Sequence, residues 1–270
     1  MKLGISSKGS GISQIATAGA LCALRKSAIV PNFAVTTGLF SYIVALFSIY
    51  NKDEDILKRL CEMKKSMQKI SRAKRIGFIL FPKIATRDLS YKIIKRDLGQ
   101  KTLSSLDVKQ IITSADILTS AIYIYSPKRL SSIKNAIVVT DELLHNAIRS
   151  AIGGCSSVLP FLKDGRYMVS SLGCMLSQGA LLSSLGAEKT LEIEVISNEK
   201  SANILELSAG VSHQCESELQ KQDKWRADYK LTIDVSDIDV RDKNSAELLF
   251  KKGYETAEKI VGDLLFSLYI

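Results

Sequence analysis

Strands alternating with helices along 270 residues predict a single layered α/β domain. Three observations carry this. Short β-rich runs recur: "AIYIY" (residues 121–125), "AIVVT" (136–140), "TLEIEVIS" (190–197) and "DYKLTIDV" (228–235). Apolar stretches of helical length precede, separate and follow them. No composition break marks a linker, so residues 1–270 are expected to form one domain. A hydrophobic fraction of 46% with four prolines excludes a disordered chain.

The elements follow in order. Residues 2–7 read as a first strand. "SSKGSGIS" is a Gly/Ser turn, and residues 14–26 form an apolar helix. "AIVPNFAV" leads into a second strand, and residues 40–50 read as a buried helix. The 24 residues 27–50 carry no charge, a length that could span a bilayer. Pro31, Asn32 and the Thr36-Thr37-Gly38 turn divide this run, so two buried elements are expected rather than one span. The Gly- and Ser-containing N-terminus does not read as an export signal.

A basic segment comes next. Residues 51–101 hold 15 Lys/Arg against 6 Asp/Glu, which accounts for the whole net charge of +9. Ile56, Leu60, Met63, Met67 and Ile70 form one apolar helical stripe. Lys58, Glu62, Lys65, Lys69 and Arg72 repeat the spacing on the other side. The plain reading is a surface helix docked on the core. The functional reading adds an acidic partner, such as an anionic membrane surface, for Lys58, Lys65, Lys69 and Arg72. Nucleic acid fits less well, because the chain has one tryptophan and no aromatic–basic interleaving. Residues 245–268 read as a closing helix with Ser245 as its cap.

Five scattered cysteines with no CxxC pair predict buried thiols in a reducing, cytoplasmic compartment. His145 and His213 are the two histidines, and their neighbours form no ligand pattern, so no metal and no cofactor are expected. His145 in "DELLHNAI" reads as a packed histidine, and Asp164-Gly165 as a turn.

Four segments resemble the patatin-like lipid acyl hydrolases. "GALCALRKSAIVPNF" (19–33) is similar to the family's first helix and following strand. "AIRSAIGGCSSVLPF" (147–161) resembles a segment the family writes around "AVRASSAIPGLFPPV". "KDGRYMVSSLGCMLSQGALLSSLGAEK" (163–189) resembles the region that carries the family's aspartate. "WRADYKLTIDVSDIDVRDKNSAELLFKKGYETAEKI" (225–260) resembles its last strand and helix. The resemblance implies a three-layer α/β fold, with a central, mostly parallel sheet flanked by helices.

It also implies a Gly-rich oxyanion turn, a "GTSAG" nucleophile elbow and a later "DG[GA]" aspartate. This chain departs from the pattern at each. Counted from Pro31, the elbow falls on Thr36-Thr37-Gly38-Leu39-Phe40, with Gly38 at the serine position. Counted back from Gly186, the aspartate position falls on Ser170. The oxyanion turn falls on Gly9-Ser10-Gly11-Ile12-Ser13-Gln14.

Glycine offers no side-chain oxygen to acylate, and a serine hydroxyl takes no proton near neutral pH. The expected protein is therefore a catalytically inactive relative with no catalytic residue. It would bind lipid, an anionic membrane surface or a partner protein, as a homo-oligomer or paired with an active patatin-like protein. Without a serine to present, the strained elbow is no longer required, and Phe40 is expected to point along an acyl-chain path. The alternative is an acyl hydrolase with another nucleophile. Gly11-Ile-Ser13, Gly154-Cys-Ser156 and Gly210-Val-Ser212 each lack the closing glycine of an elbow; Thr37 would serve only if the count slips by one, and Cys155 and Cys174 fall near the expected wall of the site.

Overall fold

The computed structural model describes residues 1–9, 11–68, 89–130, 133, 136–153, 160–170, 177–198 and 225–269. The strands are β1 (Leu3–Lys8), β2 (Phe33–Thr36), β3 (Lys109–Asp116), β4 (Ile122–Tyr125), β5 (Ala136–Val139), β6 (Phe161–Lys163), β7 (Arg166–Ser170), β8 (Lys189–Ile196) and β9 (Tyr229–Asp234). The helices are α1 (Ile15–Lys26), α2 (Gly38–Ile49), α3 (Asp53–Gln68), α4 (Leu89–Leu98), α5 (Leu144–Ile152), α6 (Gln178–Leu185) and α7 (Ser245–Tyr269).

One sheet runs in the order β5-β4-β3-β2-β1-β8-β9. β1 pairs parallel with β2 and β8, as do β2 with β3, β4 with β5, and β8 with β9. The antiparallel pairs gather around β3, which meets β4 and β7, while β7 also pairs with β6. The sheet is mostly parallel, as expected.

Strand alternation divides the core in two. Ala34, Ile112, Tyr123 and Tyr125 face the larger cluster, with side chains of α1, α2, α3 and α7. Val35, Ile111, Ile122 and Ile124 face the other way, onto Leu181, Leu182 and Leu185 of α6. Helices therefore cover both faces, giving three layers.

The sequence reading missed β3. Its buried positions include Gln110, Thr113, Ser114 and Asp116, so polar residues interrupt the apolar pattern that marks an inner strand. Two further expectations are corrected. α2 begins at Gly38, two residues before the predicted start, because the chain turns directly from β2 into the helix. Ser245 does not cap α7: its hydroxyl donates backwards to the Val240 carbonyl, 2.9 Å away, and Ser245 is already the first helical residue.

The amphipathic basic helix is α3. Ile56, Leu60, Met63 and Met67 are buried, while Lys58 and Lys65 are exposed. Lys69, Ile70 and Arg72 lie outside the described residues. Asp97 of α4 anchors this layer. Its buried carboxylate accepts from the Tyr42 hydroxyl of α2 and the Arg59 guanidinium of α3, and from Arg96 Nε at 2.8 Å. Among the described residues, no helix is long and apolar enough to cross a membrane.

Candidate functional site

The site lies where two strands share one edge of β3. β2 pairs with the first half of β3 and stops at Thr36, opposite Ile112. Two residues further along the same edge, Ser114 pairs with Ser170, the last residue of β7. The chain leaving β2 therefore turns beside the end of β7.

Thr37 is extended, with φ −146° and ψ 168°, and Gly38 takes φ +58°. That left-handed conformation disfavours a side chain, and glycine adopts it without steric cost. The sharp strand-to-helix turn is thus present although no serine requires it. Thr37 Oγ1 donates to the Thr113 carbonyl (3.3 Å) or shares a hydrogen bond with Ser170 Oγ (3.3 Å).

The Gly-rich turn closes the other side. Gly9 and Gly11 have φ of +137° and +58°, and Ser10 lies outside the described residues. Gln14, buried at the start of α1, bridges this turn to α2. Its Nε2 donates to the Gly9 carbonyl (2.9 Å), and its Oε1 accepts the Phe40 N–H (3.0 Å). The Phe40 N–H is one of the first-turn donors of α2, which otherwise lack a partner within the helix. A Cβ placed on Gly38 would lie 3.4 Å from Gln14 Oε1 and 4.0 Å from Ser170 Oγ. One carbon would fit there in ordinary contact.

Gly9, Gly11, Gly38 and Ser170 therefore converge, although they come from three parts of the chain. Phe40 is buried in the main core, which corrects its expected direction along an acyl path. Thr36 is fixed from behind: Gln110 Nε2 donates to Thr36 Oγ1 (2.7 Å) and to the Ser41 carbonyl (2.9 Å). Lys58 and Lys65 sit apart from the site, on the outer side of α3.

No family model matches this chain, and no curated protein matches it by sequence. Solved structures do. VipD from Legionella pneumophila is similar with a TM-score of 0.51 and 11% identity, over 97% of this chain and 67% of that one. A chain of the heterodimeric ExoU–SpcU complex, from the type III secretion system of Pseudomonas aeruginosa, is similar with a TM-score of 0.46 and 11% identity. That match covers 97% of this chain, which spans about half (51%) of the other. The fold is patatin-like.

Within that patatin-like frame, the groups around Gly38 among the described residues are two hydroxyls and a carboxamide. They can donate and accept hydrogen bonds, but none takes a proton near neutral pH. Among the described residues, no group of His, Cys, Asp and Glu could hold a metal ion.

The other titratable candidates lie elsewhere. His145 is buried on α5, with Nδ1 2.9 Å from the Gly99 carbonyl and its ring tilted against Tyr91. Burial, opposed by the Gly99 hydrogen bond, holds its pKa below the usual value. Burial and the neighbouring Asp53 push the Cys22 thiol well above its ordinary range. Cys155, Cys174 and His213 lie outside the described residues. Asp164-Gly165 forms the two-residue turn of the β6–β7 hairpin, with φ of +50° and +77°.

The sequence reading gave Gln14 no role. A signal was present: the counted oxyanion turn ends on Gln14, a residue long enough to reach back into the space that the turn encloses.

Proposed function

We propose that this chain is a catalytically inactive patatin-like protein that keeps the hydrolase frame and binds a lipid surface or a partner through its exterior. One observation supports this best. Gly38 and Ser170 adjoin at the end of β2, where the resemblance puts a nucleophile and its aspartate, and neither residue supplies that chemistry. Gln14 adds to the case, because its amide oxygen already holds a first-turn N–H of α2.

The alternative is an acyl hydrolase with a different nucleophile. What favours it is the 3.3 Å contact between Thr37 Oγ1 and Ser170 Oγ. Thr37 lacks an adjacent base among the described residues, and that weighs against it. The exposed lysines of α3 suit an anionic surface, where each cation contributes on the order of 1 kcal/mol.

Restoring the dyad tests the reading. The wild type should neither label with a fluorophosphonate probe nor hydrolyse p-nitrophenyl esters above a blank. The double variant Gly38→Ser/Ser170→Asp should label. Wild-type turnover that Thr37→Val abolishes would establish the alternative instead.

A further inference from the structure

We infer that the tip of the β3–β4 hairpin, flanked by Arg166 of the β6–β7 hairpin, forms a wedge that inserts into an anionic bilayer, next to the candidate site. This rests on the lipid-binding part of the reading above and names the surface that makes the contact.

Ile117 and Leu118, at the tip beyond β3, are 57% and 70% exposed, and Leu118 is the most exposed large apolar residue among those described. They are adjacent in sequence and sit on a tight turn. Asp116 pins it: its Oδ1 accepts the Leu118 N–H (3.2 Å) and its Oδ2 accepts the Thr119 hydroxyl (2.7 Å). The tip is therefore held outward by its own hydrogen bonds, with Ser120 at φ +58°.

The second tip lies alongside. The Ile117 N–H donates to the Tyr167 carbonyl at 3.0 Å, which ties the hairpins together. Arg166 is exposed and its guanidinium lies 5.5 Å from the centre of the Tyr123 ring. Lys163 is paired with Glu142 and Asp164, so among the described residues Arg166 is the cation this rim offers to a head group.

The shape selects the occupant. Two apolar side chains on a tip are far smaller than the roughly 800 Å² per partner of a stable protein interface. A pair of exposed aliphatic side chains with an exposed arginine beside them matches the acyl–head-group boundary. Insertion by so small a wedge needs a second, electrostatic contribution. α3 provides it at the same end of the sheet. Lys64, in its last turns, donates to the Asp242 and Lys243 carbonyls, which follow β9, and the next residue, Lys65, is exposed.

The wedge is also near the candidate site. Leu118 is four residues past Ser114, the partner of Ser170, or roughly 13 Å along an extended strand.

Co-sedimentation with vesicles of phosphatidylcholine, with and without phosphatidylserine, tests the proposal on the full chain. The wild type should bind the phosphatidylserine vesicles and lose binding as salt rises. Ile117→Asp/Leu118→Asp should reduce partitioning at least about tenfold, with an unchanged thermal midpoint. Leu118→Trp should bind at least as well as wild type and blue-shift its emission on adding vesicles, which separates insertion from misfolding. Wild-type binding that the double aspartate variant leaves intact, or no binding to phosphatidylserine vesicles, would overturn the proposal. Intact binding by the double aspartate variant overturns the wedge alone, whereas no wild-type binding overturns the lipid-binding reading with it, so the two failures are distinguishable.

Discussion

Gly38 keeps a left-handed turn that any side chain would strain. Gly38→Ser alone should therefore lower stability by about 1–2 kcal/mol, read as a lower urea midpoint at constant slope. A larger loss would mean that the Gln14 amide, 3.4 Å from the added Cβ, has been forced off the Phe40 N–H. That positions 38 and 170 belong to one site was expected by counting from Pro31 and from Gly186, and the two do lie side by side. The Gln14 bridge was not legible. A carboxamide's reach depends on where the fold sets its Cα and on a rotamer, and neither leaves a pattern in sequence.

Among the described elements, α1 and α7 cross with their backbones in close contact. A Cβ on Gly19 would overlap the Phe250 carbonyl, and one on Gly253 would overlap the Ala16 carbonyl. Both obstacles are backbone, so the helices must separate to admit a methyl group. Gly19→Ala and Gly253→Ala should each destabilise by about 1–3 kcal/mol or more. The double variant should cost less than the sum of the two, since one separation relieves both clashes. Thermal denaturation of the three variants measures this. At this scale, the sequence spoke clearly where one face is wet. β9 alternates buried Leu231 and Ile233 with exposed Lys230, Thr232 and Asp234, and was read correctly. β3 is enclosed and carries buried Gln, Thr, Ser and Asp, so periodicity gave no sign of the strand on which the site depends.

Across the whole molecule, stability should respond to acid through His145. Burial, the largest effect, and Lys95 disfavour its charged form, while the Gly99 carbonyl and Glu142 favour it, with a net lowering of its pKa. The unfolded chain then binds the proton more readily than the folded one. This contribution is full above the unfolded value of about 6.5 and is lost progressively as pH falls below it. Urea midpoints should therefore drop between about pH 7 and pH 5, and His145→Gln should flatten that slope. β2 and β7 occupy successive stretches of a single edge of β3, so their ends must confront each other at a seam set by main-chain registry. Residues 37 and 170 meet there whatever side chains they carry. A chain built this way can exchange both halves of a reactive pair and still bring their successors face to face, leaving the scaffold intact while the chemistry changes or lapses.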